Sequence, residues 1–209
     1  MTPLLLATGN AGKVRELQPV LAAHGFAVVG QTELGISSIA ETGSTFVENA
    51  LLKAHHAASQ GGMATLAEDS GLCVPYLQGA PGLYSARYAG PEASAATNNA
   101  KLLTMLAGAR GAARAAYYVT CMVFLESAAD PSPLVAQGFW RGIIGEHPAG
   151  GGGFGYDPLF WPAGGLRSAA QWSLEEKNVC SHRALALRRL LELLAERQVP
   201  PPQPLSLND

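Results

Sequence analysis

Hydrophobic residues alternate along the chain between short continuous runs and runs with helical spacing, a pattern typical of α/β proteins. The continuous runs predict strands over residues 4–7, 26–29, 64–67, 72–77, 117–125, 134–144 and 156–161. Helical spacing and capping residues predict helices over residues 14–21, 45–61, 93–106 and 181–198, with a further short helix opened by Ser173. Pro19 lies inside the first helical pattern and predicts a kink or a restart there. We therefore expect an α/β fold with a mixed sheet.

Composition supports a single hydrophobic core. The chain has 209 residues, of which 48% are hydrophobic, and this is ample material for a packed interior. Residues 1–198 are interpreted as one domain. The proline-rich segment 199–209 is predicted to be a disordered tail.

Charge, cysteine content and the first residues narrow the class of protein. A net charge of −2 argues against extensive binding of DNA or RNA, although a small anion needs only a few local cations. The three cysteines are far apart and lack a C-x-x-C spacing, so a reducing compartment fits better than a disulfide framework or a zinc site. No apolar run has the length of a signal peptide or a membrane span. We expect a cytoplasmic protein without a membrane partner.

The loop between the first predicted strand and the first helix is a candidate anion-binding segment. It consists of Thr8, Gly9, Asn10, Ala11, Gly12 and Lys13. Its glycines allow backbone N–H groups to point at an anion, the helix start adds a positive end, and the lysine adds a full charge. An ordinary strand-to-helix turn with a surface lysine explains the same residues equally well. The loop is not a P-loop, because the spacing is too short and Val14 stands where a metal-binding Ser or Thr is needed.

Two adjacent acidic residues, Glu68 and Asp69, follow the predicted strand 64–67 directly. The ends of strands are where α/β proteins place ligand sites. Adjacent residues of a strand point to opposite faces, so we expect one carboxylate to hold Mg²⁺ or activate water and the other to support it. A solvated turn is the alternative, but charges rarely lie unpaired beside a buried strand.

A third carboxylate and a second cation lie around the predicted helix 45–61, which opens with a capping box. Glu41 lies just ahead of this helix, and Asn49 and Lys53 share one of its faces because they are four residues apart. Together with Lys13, Lys53 would supply two cations for a phosphate chain. A solvated helix lysine is the alternative.

The glycine-rich segment 150–155 formally matches the dinucleotide-binding pattern G-x-G-x-x-G. That pattern opens a helix, whereas Tyr156, Asp157 and Pro158 follow here and the proline favours extended chain before it. The better interpretation is a loop that lets the backbone and Phe154 approach a flat base. A mobile glycine hairpin is the alternative.

Donor side chains surround the start of the last predicted helix. Ser181 can cap this helix, His182 and Arg183 follow it, and Lys177 precedes it. Two donor groups at the positive end of a helix dipole are unfavourable unless an acceptor or an anion meets them. The planar fork of Arg183 suits carbonyl or phosphate oxygens. Surface charges at an ordinary helix start are the alternative.

In six ordered segments the chain resembles the inosine/xanthosine triphosphate pyrophosphatase family, whose members remove non-canonical purine nucleotides. The segments are LATGNAGKVREL, ETGSTFVENALLKA, EDSGL, GAPGLYSARYAG, GGFGYDPLF and EEKNVCSHRALAL. They run from residue 4 to about residue 190. Pro19 and the proline-rich tail depart from the family pattern, and neither touches one of these segments.

The resemblance implies a fold, an activity and an assembly. The fold would be an elongated mixed sheet flanked by helices, with two lobes and the substrate cleft between them. The activity would be Mg²⁺-dependent hydrolysis of dITP, ITP and XTP to the monophosphate and pyrophosphate. The usual assembly would be a homodimer.

The resemblance also implies residue roles. The phosphates would be held by Thr8, Asn10, Lys13 and Lys53. Glu41 and Asp69 would hold the metal, with Asp69 also the general base and Glu68 supporting it. Ser70 would contact the nucleotide. The base pocket would consist of Phe154, Gly155, Tyr156, Asp157, Lys177, His182 and Arg183.

The physical chemistry of the base agrees with this assignment. His182 and Arg183 can donate to a 6-oxo group, whereas the amino group of adenine would leave these donors unpaired, at about 1–3 kcal/mol per buried group. Two other classes of protein have less support. A phosphotransferase lacks support because the GK[ST] and kinase signatures are missing. A nucleotide sensor lacks support because extra carboxylates beside a polyanion are costly without a metal.

Overall fold

One mixed sheet organises residues 1–198, which this computed structural model describes; the predicted disordered tail 199–209 lies outside them. The strands are β1 (Thr2–Ala7), β2 (Phe26–Gly30), β3 (Thr65–Cys73), β4 (Ala115–Leu125), β5 (Leu134–Ile144) and β6 (Phe160–Pro162). The helices are α1 (Ala11–Ala23), α2 (Phe46–Gly61), α3 (Ala95–Met105), α4 (Leu174–Cys180) and α5 (His182–Gln198). The sheet order is β2-β1-β3-β4-β5-β6. The predicted α/β class with a mixed sheet is confirmed.

The direction of pairing changes at β3. Strand β1 pairs in parallel with β2 and β3, whereas β3, β4, β5 and β6 pair antiparallel in succession. The pairing of β1 with β3 ends at Ala7 and Ala67, although β3 continues beside β4 as far as Cys73. From Glu68 onward, β3 therefore has no strand on the β1 side. A crevice forms at the carboxyl end of β1, which is where open α/β sheets bind ligands.

Helices pack on both faces of the sheet, two on one face and one on the other. Helices α1 and α5 pack on one face around Leu17, Leu66, Met122 and Leu190. Helix α2 packs on the other face through a row of buried alanines, which lets it lie close to β3 and β4. A third cluster joins α3 to the far ends of β4 and β5. None of the helices within residues 1–198 combines the length and the apolar composition needed to cross a membrane.

Local signals in the sequence fix the helix ends next to the crevice. Asn10 caps α1 by accepting from the N–H groups of Gly12 and Lys13, at 2.8 and 3.3 Å. Thr45 caps α2, as its side chain accepts from the N–H of Glu48. Helix α1 continues through Pro19, so the predicted restart at this residue is wrong.

Three further expectations need correction. The acidic pair lies inside β3 and not at its end, because β4 pairs with β3 along its full length. The expected strand 72–77 ends at Cys73, and a 3₁₀ turn follows over Pro75–Leu77. The expected strand 156–161 shortens to β6, because the N–H groups of Leu159 and Phe160 bond back to the carbonyl of Tyr156.

Candidate active site

One cavity of about 840 Å³ occupies the crevice at the carboxyl end of β1. Its size suits a ligand as large as a nucleotide. Apart from Glu68, every candidate residue of the sequence lines it: Thr8, Gly9, Asn10, Ala11, Gly12, Lys13, Glu41, Lys53, Asp69, Ser70, Phe154, Gly155, Tyr156, Asp157, Lys177, His182 and Arg183. Five separate stretches of sequence therefore meet in one place. The interpretations as an ordinary turn, a solvated lysine or a surface helix start lose their support.

The loop 8–13 forms one end of the cavity. Thr8 Oγ1 accepts from the N–H of Asn10 at 3.2 Å, and the start of α1 follows directly. The backbone N–H groups and the positive end of α1 therefore lie beside Lys13 at the cavity wall. This arrangement can receive phosphate groups, although Asn10 occupies two of the N–H groups as the helix cap.

Asp69 points from β3 towards α2 and the cavity. Its Oδ1 accepts from Lys53 Nζ at 2.8 Å, and its Oδ2 accepts from Asn49 Nδ2 at 3.3 Å. Glu41 Oε1 accepts from the same Lys53 Nζ at 2.9 Å. Burial by itself would lower the pKa of Lys53, but the two carboxylates outweigh it and the pKa lies above its ordinary value. Two carboxylates thus converge on one cation at the cavity wall.

Glu68 points to the opposite side of β3, towards α1 and α5, as the alternation of a strand requires. It is fully buried, and its Oε1 lies 2.9 Å from Lys13 Nζ. Arg183 donates to both of its oxygens at 2.9 to 3.1 Å. Burial would raise the pKa of Glu68, yet the charges of Arg183 and Lys13 hold it well below its ordinary range. Glu68 is therefore an anion inside the protein, and the expectation that Glu68 and Asp69 point to opposite faces of the strand is confirmed.

Arg183 lies in the cavity wall, but carboxylates engage most of its guanidinium. Glu68 accepts from Nε and one terminal nitrogen, Glu16 accepts from the other, and Ser70 Oγ lies 3.5 Å away. A guanidinium has five N–H donors, so little capacity remains for a ligand. If Arg183 donates to a base oxygen as expected, the base must share the guanidinium with Glu68, Glu16 or Ser70.

The other end of the cavity is built around Asp157. Its Oδ1 accepts from the hydroxyl of Tyr118 at 3.3 Å, and its Oδ2 accepts from Lys177 Nζ at 2.7 Å and from the N–H of Phe154 at 3.2 Å. Gly153 lies directly over this ion pair with φ +70, and a Cβ at this position would lie 2.6 Å from Lys177 Nζ. The glycine loop is therefore held by the buried Asp157–Lys177 pair.

Aromatic rings flank this end of the cavity. The ring of His182 stacks on that of Tyr118, with centroids 4.7 Å apart and planes at 11°, and Trp140 lies on the same stack at 6.4 Å. Burial, and secondarily the charge of Arg183, hold the pKa of His182 well below 6.5, so its imidazole is neutral near pH 7. The side-chain guanidinium of Arg183 lies 5.6 Å from the ring centre of Phe154. Flat, neutral surfaces of this kind suit a purine base.

The donor set at Glu41 and Asp69 fits Mg²⁺. Mg²⁺ is usually held by one or two carboxylates together with substrate phosphates, not by an all-protein cage. Within residues 1–198, no group of three or more His, Cys, Asp or Glu is arranged around a metal position. The shared Lys53 ammonium marks the place where the two carboxylates already converge on positive charge.

Sequence reasoning missed several residues that the structure brings to the site. Tyr118 and Trp140 have the alternation of ordinary core residues of strands, so nothing in their pattern indicated a cavity. Glu16 follows Lys13 by three residues, and this helical spacing could have suggested a carboxylate near the anion loop. Asn49 was placed on the correct helix face, but its partner Asp69 is 20 residues away.

Comparisons with known proteins identify a family that matches most of the chain. The Ham1 family matches residues 4–193. A dITP/XTP pyrophosphatase of Yersinia pestis is 51% identical over 196 residues, which cover 94% of this chain and 100% of that protein. The structure of a HAM1 protein from Coxiella burnetii has a TM-score of 0.86 at 43% identity, with coverage of 94% and 100%. That of a nucleoside-triphosphatase, dITP/XTP pyrophosphatase, from Mycobacterium abscessus has a TM-score of 0.71 at 36% identity, with coverage of 94% and 100%.

The matched residues 4–193 include the anion loop, both acidic positions of β3, the glycine loop and the start of α5. Family, sequence identity and fold therefore agree along nearly the whole described chain. This protein is a member of the Ham1 family.

Proposed function

We propose that this chain is a nucleoside triphosphate pyrophosphatase that hydrolyses dITP, ITP and XTP to the monophosphate and pyrophosphate. The observation that carries the proposal is the position of Asp69 and Glu41. They converge on Lys53 between the anion loop at one end of the cavity and the aromatic rings at the other. A nucleotide that spans the cavity would present its phosphates to these carboxylates. The names of the relatives from Yersinia pestis and Mycobacterium abscessus support the same substrate class.

In the proposed reaction, water attacks the α-phosphorus and the bond to the β-phosphoryl oxygen breaks. Asp69 accepts the proton of the attacking water, and the electron pair of the broken bond leaves with pyrophosphate. Lys13, Lys53 and the N-terminus of α1 bind and orient the phosphate chain. Glu41 and Asp69 would hold Mg²⁺, which supplies neutralisation of phosphate charge.

Recognition of the base is proposed to rest on the rings of Phe154, Tyr118 and His182. Neutral His182 lines the cavity and is proposed as the donor to the 6-oxo group, because the donors of Arg183 are largely engaged by Glu68 and Glu16. An adenine amino group would leave such a donor unpaired. Discrimination between oxo-purines and adenine follows from this arrangement.

We also propose that the protein is a cytoplasmic homodimer. Strand β5 exposes a row of apolar side chains on the same face of the sheet as α2, where α2 packs on β3 and β4 and leaves β5 uncovered: Val135, Phe139 and Ile143 are 38%, 45% and 52% exposed. Such a row on a sheet face is typical of an interface. Sedimentation analysis of the purified protein would report the assembly.

The proposed activity is tested with purified protein, Mg²⁺ and a panel of nucleotides. We expect pyrophosphate release from dITP, ITP and XTP at rates at least about 100-fold above that for ATP, as a pocket built to bond the 6-oxo group discriminates strongly against an amino group at this position. Glu192→Gln, a change on the exposed side of α5, serves as the control variant and should show the same nucleotide preference as the wild type. Equal rates on all purines would remove the base selectivity. Release of orthophosphate or phosphorylation of an acceptor would replace pyrophosphate hydrolysis with phosphotransfer chemistry.

A further inference from the structure

Asn49 is a buried polar residue beside the site that does not line the cavity. It lies on α2 and is 1% exposed. Its Oδ1 accepts from the backbone N–H of Gly43 at 2.8 Å, and its Nδ2 donates to Asp69 Oδ2 at 3.3 Å. A side chain so placed cannot touch a ligand in the cavity, but it contacts a residue that does.

The two bonds of Asn49 fix the direction of its amide group. A backbone N–H can only donate, so the oxygen of the amide must face Gly43 and the NH₂ group must face Asp69. Rotation of the amide by 180° would place the NH₂ group against the N–H of Gly43 and the carbonyl oxygen against the carboxylate of Asp69. The bond to the N–H of Gly43 therefore ensures that Asn49 presents its NH₂ group to Asp69.

Helix α2 consequently holds both oxygens of Asp69. Asn49 binds Oδ2, and Lys53, four residues later on the same helix, binds Oδ1 at 2.8 Å. Residues four apart project from one face of a helix, so a rigid element determines the plane of the carboxylate.

The same amide sets the position of the loop that carries Glu41. Gly43 approaches α2 so closely that a Cβ there would lie 2.8 Å from Asn49 Oδ1 and 2.7 Å from Glu48 Cβ. Glu48 fixes the next residue by accepting from the N–H and the hydroxyl of Ser44, at 2.6 and 2.8 Å. Glu41, two residues before Gly43, is thereby held at a defined spacing from Asp69.

We propose that Asn49 is a positioning residue that sets the orientation of Asp69 and the spacing between Asp69 and Glu41. The inference rests on the proposed pyrophosphatase function for its catalytic consequence. Its structural part, a hydrogen bond from Asn49 to the Asp69 carboxylate that is required at this site, stands independently of the reaction.

The first test uses Asn49→Asp, which keeps an acceptor for the N–H of Gly43 and replaces only the donor towards Asp69 with a carboxylate oxygen. We expect kcat for pyrophosphate release from dITP to fall roughly 10- to 100-fold, while KM stays within about threefold because Asn49 does not touch the substrate. The control is Leu194→Ala on α5, which destabilises the opposite face of the sheet without approaching Asp69. An unchanged kcat in Asn49→Asp would overturn the positioning role.

The second test measures thermal unfolding of the metal-free protein. Asn49→Asp should lower the melting temperature, since two carboxylates then face each other. Adding Asp69→Asn should restore at least half of this loss, because the amide–carboxylate pair is re-formed with its direction reversed; activity stays absent. A further loss in the double variant, in place of recovery, would overturn the contact. If the wild type released no pyrophosphate from any nucleotide, the proposed function would fall, while the melting series would still test the contact.

Discussion

The two faces of β3 carry adjacent carboxylates with opposite uses. Glu68 faces α1 and α5, is fully buried and lies between the charges of Lys13 and Arg183. Asp69 faces α2 and the cavity, where Lys53 and Asn49 hold it. One step along a strand therefore separates a structural counter-ion from a group that can act on a ligand. The comparison shows that neighbouring acidic residues in sequence need not form one acidic site.

The Glu68 face is balanced in charge without a ligand. Two cations, Lys13 and Arg183, meet two anions, Glu68 and Glu16. Phosphate binding at Lys13 would compete with Glu68, and the bonds of Arg183 would keep Glu68 compensated. Burial lowers the pKa of Lys13, although Glu68 opposes this shift, so the lysine depends on an anionic partner to hold its charge. On the Asp69 face, Lys53 contacts both carboxylates, and the only further cation is Arg87, which lies 3.6 Å from Glu41 Oε2 within the described residues; its side chain is 40% exposed, so solvent screens this pair.

We expect the largest effect on activity from a substitution of Asp69. Asp69→Asn should lower kcat by about 10²- to 10⁴-fold, the usual contribution of a general base. Nucleotide binding, measured by calorimetry, should survive because the anion loop and the rings remain. If turnover persisted in Asp69→Asn, the base would have to be another residue. If turnover vanished and binding remained, a nucleotide sensor would be excluded.

The second prediction concerns the free energy of unfolding and tests the structural role of Glu68. Glu68→Gln removes the anion between two buried cations and should cost about 3 kcal/mol of the free energy of unfolding, as is typical when one partner of a buried ion pair is lost. Urea unfolding measures this difference. Glu192→Gln, in an exposed ion pair, should change it by less than about 0.5 kcal/mol. Equal losses in the two variants would contradict the structural role of Glu68.

The smallest effect concerns pH and also belongs to the Glu68 face. His182 is buried, and its pKa lies well below the ordinary 6.5. Just below pH 6.5 the imidazole therefore binds a proton in the unfolded chain but stays neutral in the folded protein. Stability should therefore fall as pH decreases below about 6.5, by up to about 1.4 kcal/mol per pH unit from this group. His182→Phe keeps a ring beside Tyr118. In this variant the free energy of unfolding, measured by denaturant unfolding from pH 8 to 5, should fall less steeply with decreasing pH than in the wild type. Parallel slopes would show that His182 does not titrate on unfolding.

Much of the fold followed from local signals. The predicted capping residues Thr45, Ser173 and Ser181 cap their helices where the sequence places them. The expected antiparallel neighbours 117–125 and 134–144 pair as β4 and β5. Errors arose where a long-range partner decided the outcome: β4 extends β3 through the acidic pair, whereas the turn at 156–160 satisfies its own hydrogen bonds and needs no strand.

The candidate site was predicted as a set of residues but not as a set of contacts. Motif resemblance identified the residues that line the cavity, while the partners of Arg183 and the amide contact of Asp69 come from residues 20 to 167 positions away. Tyr118 and Trp140 could not be distinguished from core residues because a strand facing a cavity and a strand facing the core have the same alternation. The two lobes, the metal and the homodimer stay predictions.

The sequence by itself determined the α/β class, the family, the helix caps and the list of chemical groups, because these depend on periodicity, propensity and residue type. Only the tertiary structure decided that Glu68 is a buried counter-ion, that Asp69 and Glu41 meet at Lys53, and that carboxylates occupy Arg183. The physical reason is that the energy of a charge depends on its surroundings. Burial and the distance to the next charge are set by chain segments that the local sequence does not contain.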